Sequence, residues 1–368
     1  MSAPLNHTPL FDLHVDCGAK FAPFAGFEMP VQFPTGILKE HTQTRNAAGL
    51  FDVSHMGQLR IFGSGAAAWL ETLVPGDLTG LEPGRMRYTQ FTNDSGGILD
   101  DLMVTRFDDH LFLVINAACK TADLEHLNAA LPRELTIDVL DDRALIALQG
   151  PTAAAVLARH ANDGVATMPF MSSALCAVKG VACIVSRCGY TGEDGYEISV
   201  PADRAIELAE LLSVEEGVGP VGLGARDSLR LEAGLCLYGQ DIDSSTTPVE
   251  AGLVWSIGKR RRRDGGFPGD AVIQRQIKDG TARKRVGIQA LGRAPARARA
   301  KIIDLAGDEL GEITSGGFGP TVGGPVAMGY APCDSAAVDT LVQVVVRGKP
   351  LPAKIVKLPF TPQRYFRG

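Results

Sequence analysis

WSIGKRRRRDGGFPG, residues 255–269, divides the chain in two. Behind it, from about residue 284, short β-prone runs alternate with Gly and Pro turns: RVGIQAL, AKIIDL, GEITSGG, VAMGYA, LVQVVVRG and LPAKIVKLPF. Strand-length runs separated by turn residues argue an all-β module. Ahead of it the pattern is mixed. Residues 36–48 have helical spacing with Gly49 placed to close the helix, and FDVSHMGQLRIFG (51–63) reads as strand, turn and strand. A helix is expected over 66–73, strands over 87–92, 98–106 and 110–116, and a helix over 121–130. The run ALIALQG (144–150) has the look of a buried strand, with Pro151 in the first turn of the helix after it. VACIVSRCGYTGEDGYEISVP (181–201) reads as a hairpin, PADRAIELAELL as an amphipathic helix, and GLGARDSLRLEAGL (222–235) as a helix ending near Gly234. The class is therefore α+β. At 368 residues the chain exceeds one hydrophobic core, so two or three domains are expected.

Composition narrows the function. A net charge of −6 gives no basis for nucleic acid or an anionic membrane as a partner. No apolar run approaches the ~20 residues needed to span a bilayer, and the first residues have neither a signal-peptide nor a transit-peptide pattern. Seven dispersed cysteines without CxxC, and histidines without HExxH or HxH spacing, argue against a disulfide framework or metal site and for reduced thiols in a cytoplasm. GSGAAA (63–68) imitates a dinucleotide fingerprint but lacks the second strand ending in an acid, so it is read as a tight turn opening a helix. GVGPVGLGA (217–225) is read as a loop feeding a helix. KRRRRD (259–264) is either a solvated loop or a dock for an acidic protein.

Three segments carry candidate chemistry. GGILDDLMV (96–104) places Asp100 and Asp101 inside an otherwise apolar strand. A buried, unpaired carboxylate is costly enough to find a partner or shift its pKa. Successive side chains of a strand point to opposite faces, so the two acids do not form a proton-sharing dyad. Ile98, Asp100 and Leu102 share one face, and Leu99, Asp101 and Met103 the other. From the strand alone, either acid is an equal candidate to face a cavity. In RCGYTGEDGYEISV (187–200), Glu197 and Ser199 share a face opposite Tyr196 and Ile198, so burial would oblige Glu197 to find a donor, while exposure would leave a plain hairpin. In ARDSLRLEAG, Arg226 and Arg230 sit four apart on one helix face, and either could pair with Asp227 or Glu232, or hold an anionic group.

Taken together, FDVSHM (51–56), GGILDDL (96–102), LQGP (148–151), RCGYTGEDGYEISVP (187–201), ARDSLRLEAGLCLYG (225–239), TPVEAGLVWSIGKRRR (247–262), SGGFGP, VAMGY and LPFTPQRYF resemble the aminomethyltransferase, or T-protein, family of the glycine cleavage system. The likeness runs nearly end to end. It implies a three-domain, cloverleaf-like folate-binding fold, with residues 1–52 plus 141–250, 53–140, and a C-terminal barrel-like 255–368 as its domains. It implies tetrahydrofolate as acceptor, a lipoyl-bearing H-protein as donor and no metal, with ammonia and methylenetetrahydrofolate as products. By position in the family's motifs, Asp101 is the acid that meets the folate. Glu197, Arg226 and Tyr365 complete the ligand site, with Met56, Tyr88, Asn116 and Tyr190 as further contacts. On the same reading, residues 259–263 are expected to dock the acidic carrier. Flavin-linked relatives that oxidise sarcosine or dimethylglycine are set aside, because the resemblance begins within the first residues. The competing function is a folate-binding protein that supports iron–sulfur cluster assembly. GLCLYGQD (234–241) matches its motif at Cys236 and Gln240 but departs at Leu235 and Asp241 and lacks the lysine.

Overall fold

The alternating runs behind residue 283 close on themselves. In the computed structural model of the chain, which describes residues 4–161 and 164–368, six strands form a closed barrel. Their order around it is Arg283–Ala290, Gly324–Pro332, Glu309–Gly319, Lys301–Ile303, Leu341–Val346 and Lys349–Val356. Inward positions are filled by small and branched side chains such as Val286, Ile302, Ile313, Ala327, Val344 and Ile355, so the interior is a packed core.

Ahead of the barrel lie two larger sheets. One has five antiparallel strands in the order Met86–Thr92, Ile98–Arg106, His110–Ile115, Gly57–Phe62 and Thr136–Val139. The other has six, in the order Ser172–Val178, Val181–Arg187, Gly195–Pro201, Arg143–Gln149, Ala48–Asp52 and Val218–Pro220. Helices Ala66–Leu70 and Lys120–Ala130 cover one face of the five-stranded sheet, where Leu70 and Leu127 meet Leu59, Phe91, Leu102 and Leu113. Its opposite face contributes Phe112 and Val114 to a core shared with Phe51, Leu145, Ala147 and Ile184 of the six-stranded sheet and with Ala225 and Leu229 of helix Leu223–Glu232. The central strands are thus buried on both sides.

Several local expectations change. FDVSHMGQLRIFG is strand, turn and strand as read, but its two strands, Ala48–Asp52 and Gly57–Phe62, belong to different sheets, and Val53–Met56 carries the chain between them. Gly49 does not close the preceding helix, which ends at Asn46. It lies in a strand where a Cβ would sit 2.4 Å from Thr44 Oγ1 and 2.7 Å from Val221 Cγ2. Within GVGPVGLGA, Val218–Pro220 is a short edge strand, parallel to Ala48–Leu50.

The basic run is a helix, Lys259–Asp264, and most of its charge is used internally. Arg260 meets Glu71 Oε1 at 2.6 Å and Asp77 Oδ1 at 2.8 Å. Arg261 is buried and donates to the carbonyls of Glu71 and Val74, and Arg262 donates to those of Ile257 and Val254. Only Lys259 and Arg263 of the five cations are exposed, and Arg263 already pairs with Asp264. Among the described residues no helix is long and apolar enough to cross a membrane.

Candidate active site

Strand Ile98–Arg106 separates its two acids. Ile98, Asp100, Leu102 and Val104 are fully buried, whereas Asp101 and Met103 are half-buried on the other face. Leu99, at a register shift, packs with the helix-side core instead of following the alternation. Asn116, just past the end of the neighbouring strand, holds both carboxylates. Its backbone N–H donates to Asp100 Oδ2 at 3.2 Å, and its side-chain amide donates to Asp100 Oδ1 at 2.9 Å and Asp101 Oδ1 at 2.8 Å. From the other neighbouring strand, the Tyr88 hydroxyl also reaches the Asp101 carboxylate. Burial and the adjacent Asp100 charge push Asp101 up to about 7, and the bonds from Tyr88 and Asn116 only partly oppose them.

Across the shared core, helix Leu223–Glu232 presents Arg226 in its first turn. The helix start is fixed by Gly222, whose N–H donates to the buried Glu40 Oε2 at 2.9 Å. The two arginines of ARDSLR have opposite fates. Arg230 pairs with Asp241 at 2.6 Å and Asp227 at 2.8 Å. Glu232 is taken by His41 and Arg45, both at 3.1 Å. Arg226 stacks 4.8 Å above the Tyr190 ring, and its Nη1 is buried without a hydrogen-bond partner. Burial lowers its pKa, against the pull of Glu197, Tyr190 and Cys188.

Glu197 is half-buried in strand Gly195–Pro201, with Tyr196 and Ile198 buried on the opposite face. Its Oε2 accepts a weak bond from the Cys188 thiol at 3.5 Å. Tyr190 donates its hydroxyl to the Cys236 carbonyl and feels the charges of both Asp101 and Arg226, so it bridges the two halves. Met56, on the crossing between the sheets, packs in the same apolar cluster as Met103 and Ala225 and links the Asp101 strand to the Arg226 helix. Tyr365 lies in the C-terminal tail, stacked 4.0 Å from Phe170. Its position is set by Arg364, which meets Glu193 Oε2 at 2.7 Å and donates its N–H to the Gly192 carbonyl at 2.8 Å. Cys188 and Arg45 act on Tyr365, which places it on the Glu197 side.

The structure therefore brings Asp101, Tyr88 and Asn116 into one group and Glu197, Arg226 and Tyr190 into another. Met56 lies between them and Tyr365 beside the second. Sequence reasoning passed over three neighbours. Trp255 is 61% exposed and stacks 5.3 Å from Tyr88. His55 is buried between Phe24 and Phe27, and desolvation together with the Arg226 charge lowers it to about 4. Asp123 is buried near Asp100. His55 was in plain view in the quoted SHM, whereas nothing local marks Trp255 or Asp123.

Residues 10–261 match the GCVT N-terminal domain family, and residues 283–361 match the glycine cleavage T-protein C-terminal barrel domain family. A mitochondrial aminomethyltransferase of Dictyostelium discoideum is 46% identical over 99% of this chain and 94% of its own length. The Homo sapiens mitochondrial aminomethyltransferase is 47% identical over 98% and 91%. The crystal structure of glycine cleavage system aminomethyltransferase T from Bartonella henselae superposes with a TM-score of 0.93 at 43% identity, covering 98% of this chain and 99% of that one.

Proposed function

The chain belongs to the glycine cleavage T-protein family and is an aminomethyltransferase, and from that premise we propose how its residues serve the reaction. Its substrates are the aminomethyl group on the lipoyl arm of H-protein and tetrahydrofolate, and its products are ammonia, methylenetetrahydrofolate and H-protein with its lipoyl arm left as the dihydrolipoyl dithiol.

The site suits a reduced pterin. Two half-buried carboxylates, Asp101 and Glu197, and the orphaned Arg226 nitrogen lie around apolar Met56, Met103 and Tyr190. A flat heterocycle with N–H donors and a carbonyl would satisfy all three polar groups. Glu197 would take the amino edge, Arg226 a carbonyl or carboxylate in a forked contact, and Tyr365 would lie along the ligand. Tetrahydrofolate, when bound, supplies the nucleophilic ring nitrogen. Asp101 orients that nitrogen's proton and stabilises positive charge developing beside it. It can do so because Asn116 and Tyr88 hold the carboxylate in place before reaction. Positioning and electrostatics thus outweigh classical base catalysis.

The observation that carries this reading is the orientation of Asp101: of two adjacent acids, only the second faces the space shared with Met103 and Tyr88. Asp101→Asn should cut ammonia release from aminomethylated H-protein at least about tenfold, or roughly 1.4 kcal/mol on the barrier. Near-normal turnover would remove Asp101 from the mechanism. The iron–sulfur alternative gains no support. Cys236 is buried, and Asp241 is consumed by Arg230 and the Leu237 N–H. Seven free thiols suit a reducing compartment such as the cytoplasm, and the named relatives are mitochondrial.

A further inference from the structure

Behind Asp101 stands a third carboxyl. Asp123, in the first turn of helix Lys120–Ala130, is 3% exposed, and its Oδ2 has no donor among the described residues. The turn that presents it is fixed at both ends: Cys119 N–H donates to the Asn116 carbonyl at 3.0 Å, and Asp123 N–H to the Cys119 carbonyl at 2.8 Å. Its carboxyl lies within hydrogen-bonding reach of Asp100. Asp100 is wholly buried; Asn116 donates to it through its backbone and side-chain N–H groups, and the Cys119 thiol is within reach as well. Two carboxyls that meet away from water, without a cation, cannot both ionise. One proton between them satisfies the orphaned oxygen and the buried anion together.

We propose that Asp123 is a positioning residue: a neutral carboxylic acid that donates its proton to Asp100 and keeps the Asp100 charge fixed beside Asp101. Burial and the Asp100 charge raise Asp123 to about 9, in keeping with a protonated form at neutral pH. The titratable groups facing the trio are Tyr88, Cys119, Tyr190, Cys236 and Tyr238, all of which stay neutral there because burial raises each of them. Arg230 and Arg285 stand beside Tyr190 and Cys236 and pair elsewhere. The three acids are not arranged to hold a metal ion. Asp123 thus tunes the catalytic carboxylate through Asp100 and Asn116 without touching substrate.

This inference rests on the role given to Asp101, and the test separates the two. The pH dependence of kcat for ammonia release is measured for wild type, Asp123→Asn, Asp123→Ala and Asp101→Asn. Asp123→Asn keeps a donor toward Asp100, so its acid limb should coincide with that of wild type. Asp123→Ala removes the donor toward Asp100, and the acid limb should move by about half a unit or more. An infrared carbonyl band of a protonated carboxyl at pH 8 should be present in wild type and missing in Asp123→Asn, a readout independent of turnover and available even if Asp123→Ala fails to fold. No such band, or an unmoved limb in Asp123→Ala, overturns the inference while leaving Asp101 in place. Normal turnover in Asp101→Asn instead defeats the underlying assignment.

Discussion

Arg226→Met should leave the free protein as stable as wild type or slightly more so, while weakening its hold on folate. Arg226 Nη1 is buried without a partner and forms no ion pair within 4 Å among the described residues, so its charge is unsatisfied until a ligand arrives. Leaving a buried donor unpaired costs about 1–3 kcal/mol. Against this stands the stacking on Tyr190 at 4.8 Å, worth about 0.5–2 kcal/mol as a cation–π contact. A Met in its place regains about 0.3–1.5 kcal/mol of sulfur–aromatic contact and needs no donor. At the midpoints of these ranges the variant gains about 1.7 kcal/mol. At roughly 2 cal/mol/K per residue, unfolding 368 residues carries about 0.8 kcal/mol/K, so the melting temperature should rise by about 2 °C. In the liganded state the sign reverses. A charge-assisted hydrogen bond worth about 1.5–3 kcal/mol is lost, which is roughly a 10- to 150-fold weaker Kd for tetrahydrofolate. Scanning calorimetry of the free protein and isothermal titration with tetrahydrofolate measure both halves. A variant that melts several degrees lower and binds folate unchanged would show that Arg226 is a structural residue, and the reasoning from its orphaned nitrogen would fail.

Two further outcomes follow from the titrating groups. Asp101 is raised to about 7, so the charged form accumulates only above that pH, and kcat should climb through a limb near pH 7 that Asp101→Asn abolishes. Linkage gives the matching stability sign: the folded state binds the extra proton between the ordinary Asp value and about 7. Stability is therefore lost as pH rises through that window, and Asp101→Asn should be relatively stabilised at pH 8 by urea titration. Glu232 behaves oppositely. Burial alone would raise it, but the bonds from His41 and Thr321 and the charge of Arg45 hold it at about 2. Its contribution, on the order of 3 kcal/mol, is present above the unfolded value near 4.5 and lost as pH falls toward 2. Glu232→Gln should remove most of it at pH 7, lowering the melting temperature by about 4 °C and flattening acid denaturation. An unchanged melt would mean that the Thr321 loop of the barrel and helix Ile37–Asn46 are held together by something else.

What could be read from the chain depended on how local each signal was. The all-β character of the C-terminal module was legible because its alternation and its turns both lie within about ten residues. By contrast, the closing pairs of Arg283–Ala290 with Gly324–Pro332 and Lys349–Val356, and of Lys301–Ile303 with Leu341–Val346, join strands that no turn connects. The acids of GGILDDLMV were not separable, because the strand is covered on both faces: helices bury Leu102, Ile98 packs against Cys236 and Leu253, and the second sheet covers Met103. A strand buried on both sides loses its polar–apolar period; Asn116 holds both acids, and it is Tyr88 of the neighbouring strand that singles out Asp101. The basic run was misread for the same reason at longer range. Its partners Glu71 and Asp77 lie 189 and 183 residues upstream, so five consecutive cations resembled a solvated loop. ARDSLRLEAG shows how such ambiguity resolves into function. Helical spacing makes Arg226 and Arg230 equivalent, and the fold breaks the tie by folding Asp241 back onto Arg230 alone. A charge that the protein has arranged to leave unpaired costs stability in every unliganded molecule, so its persistence in a well-packed core is a stronger pointer to a ligand than the presence of arginine itself.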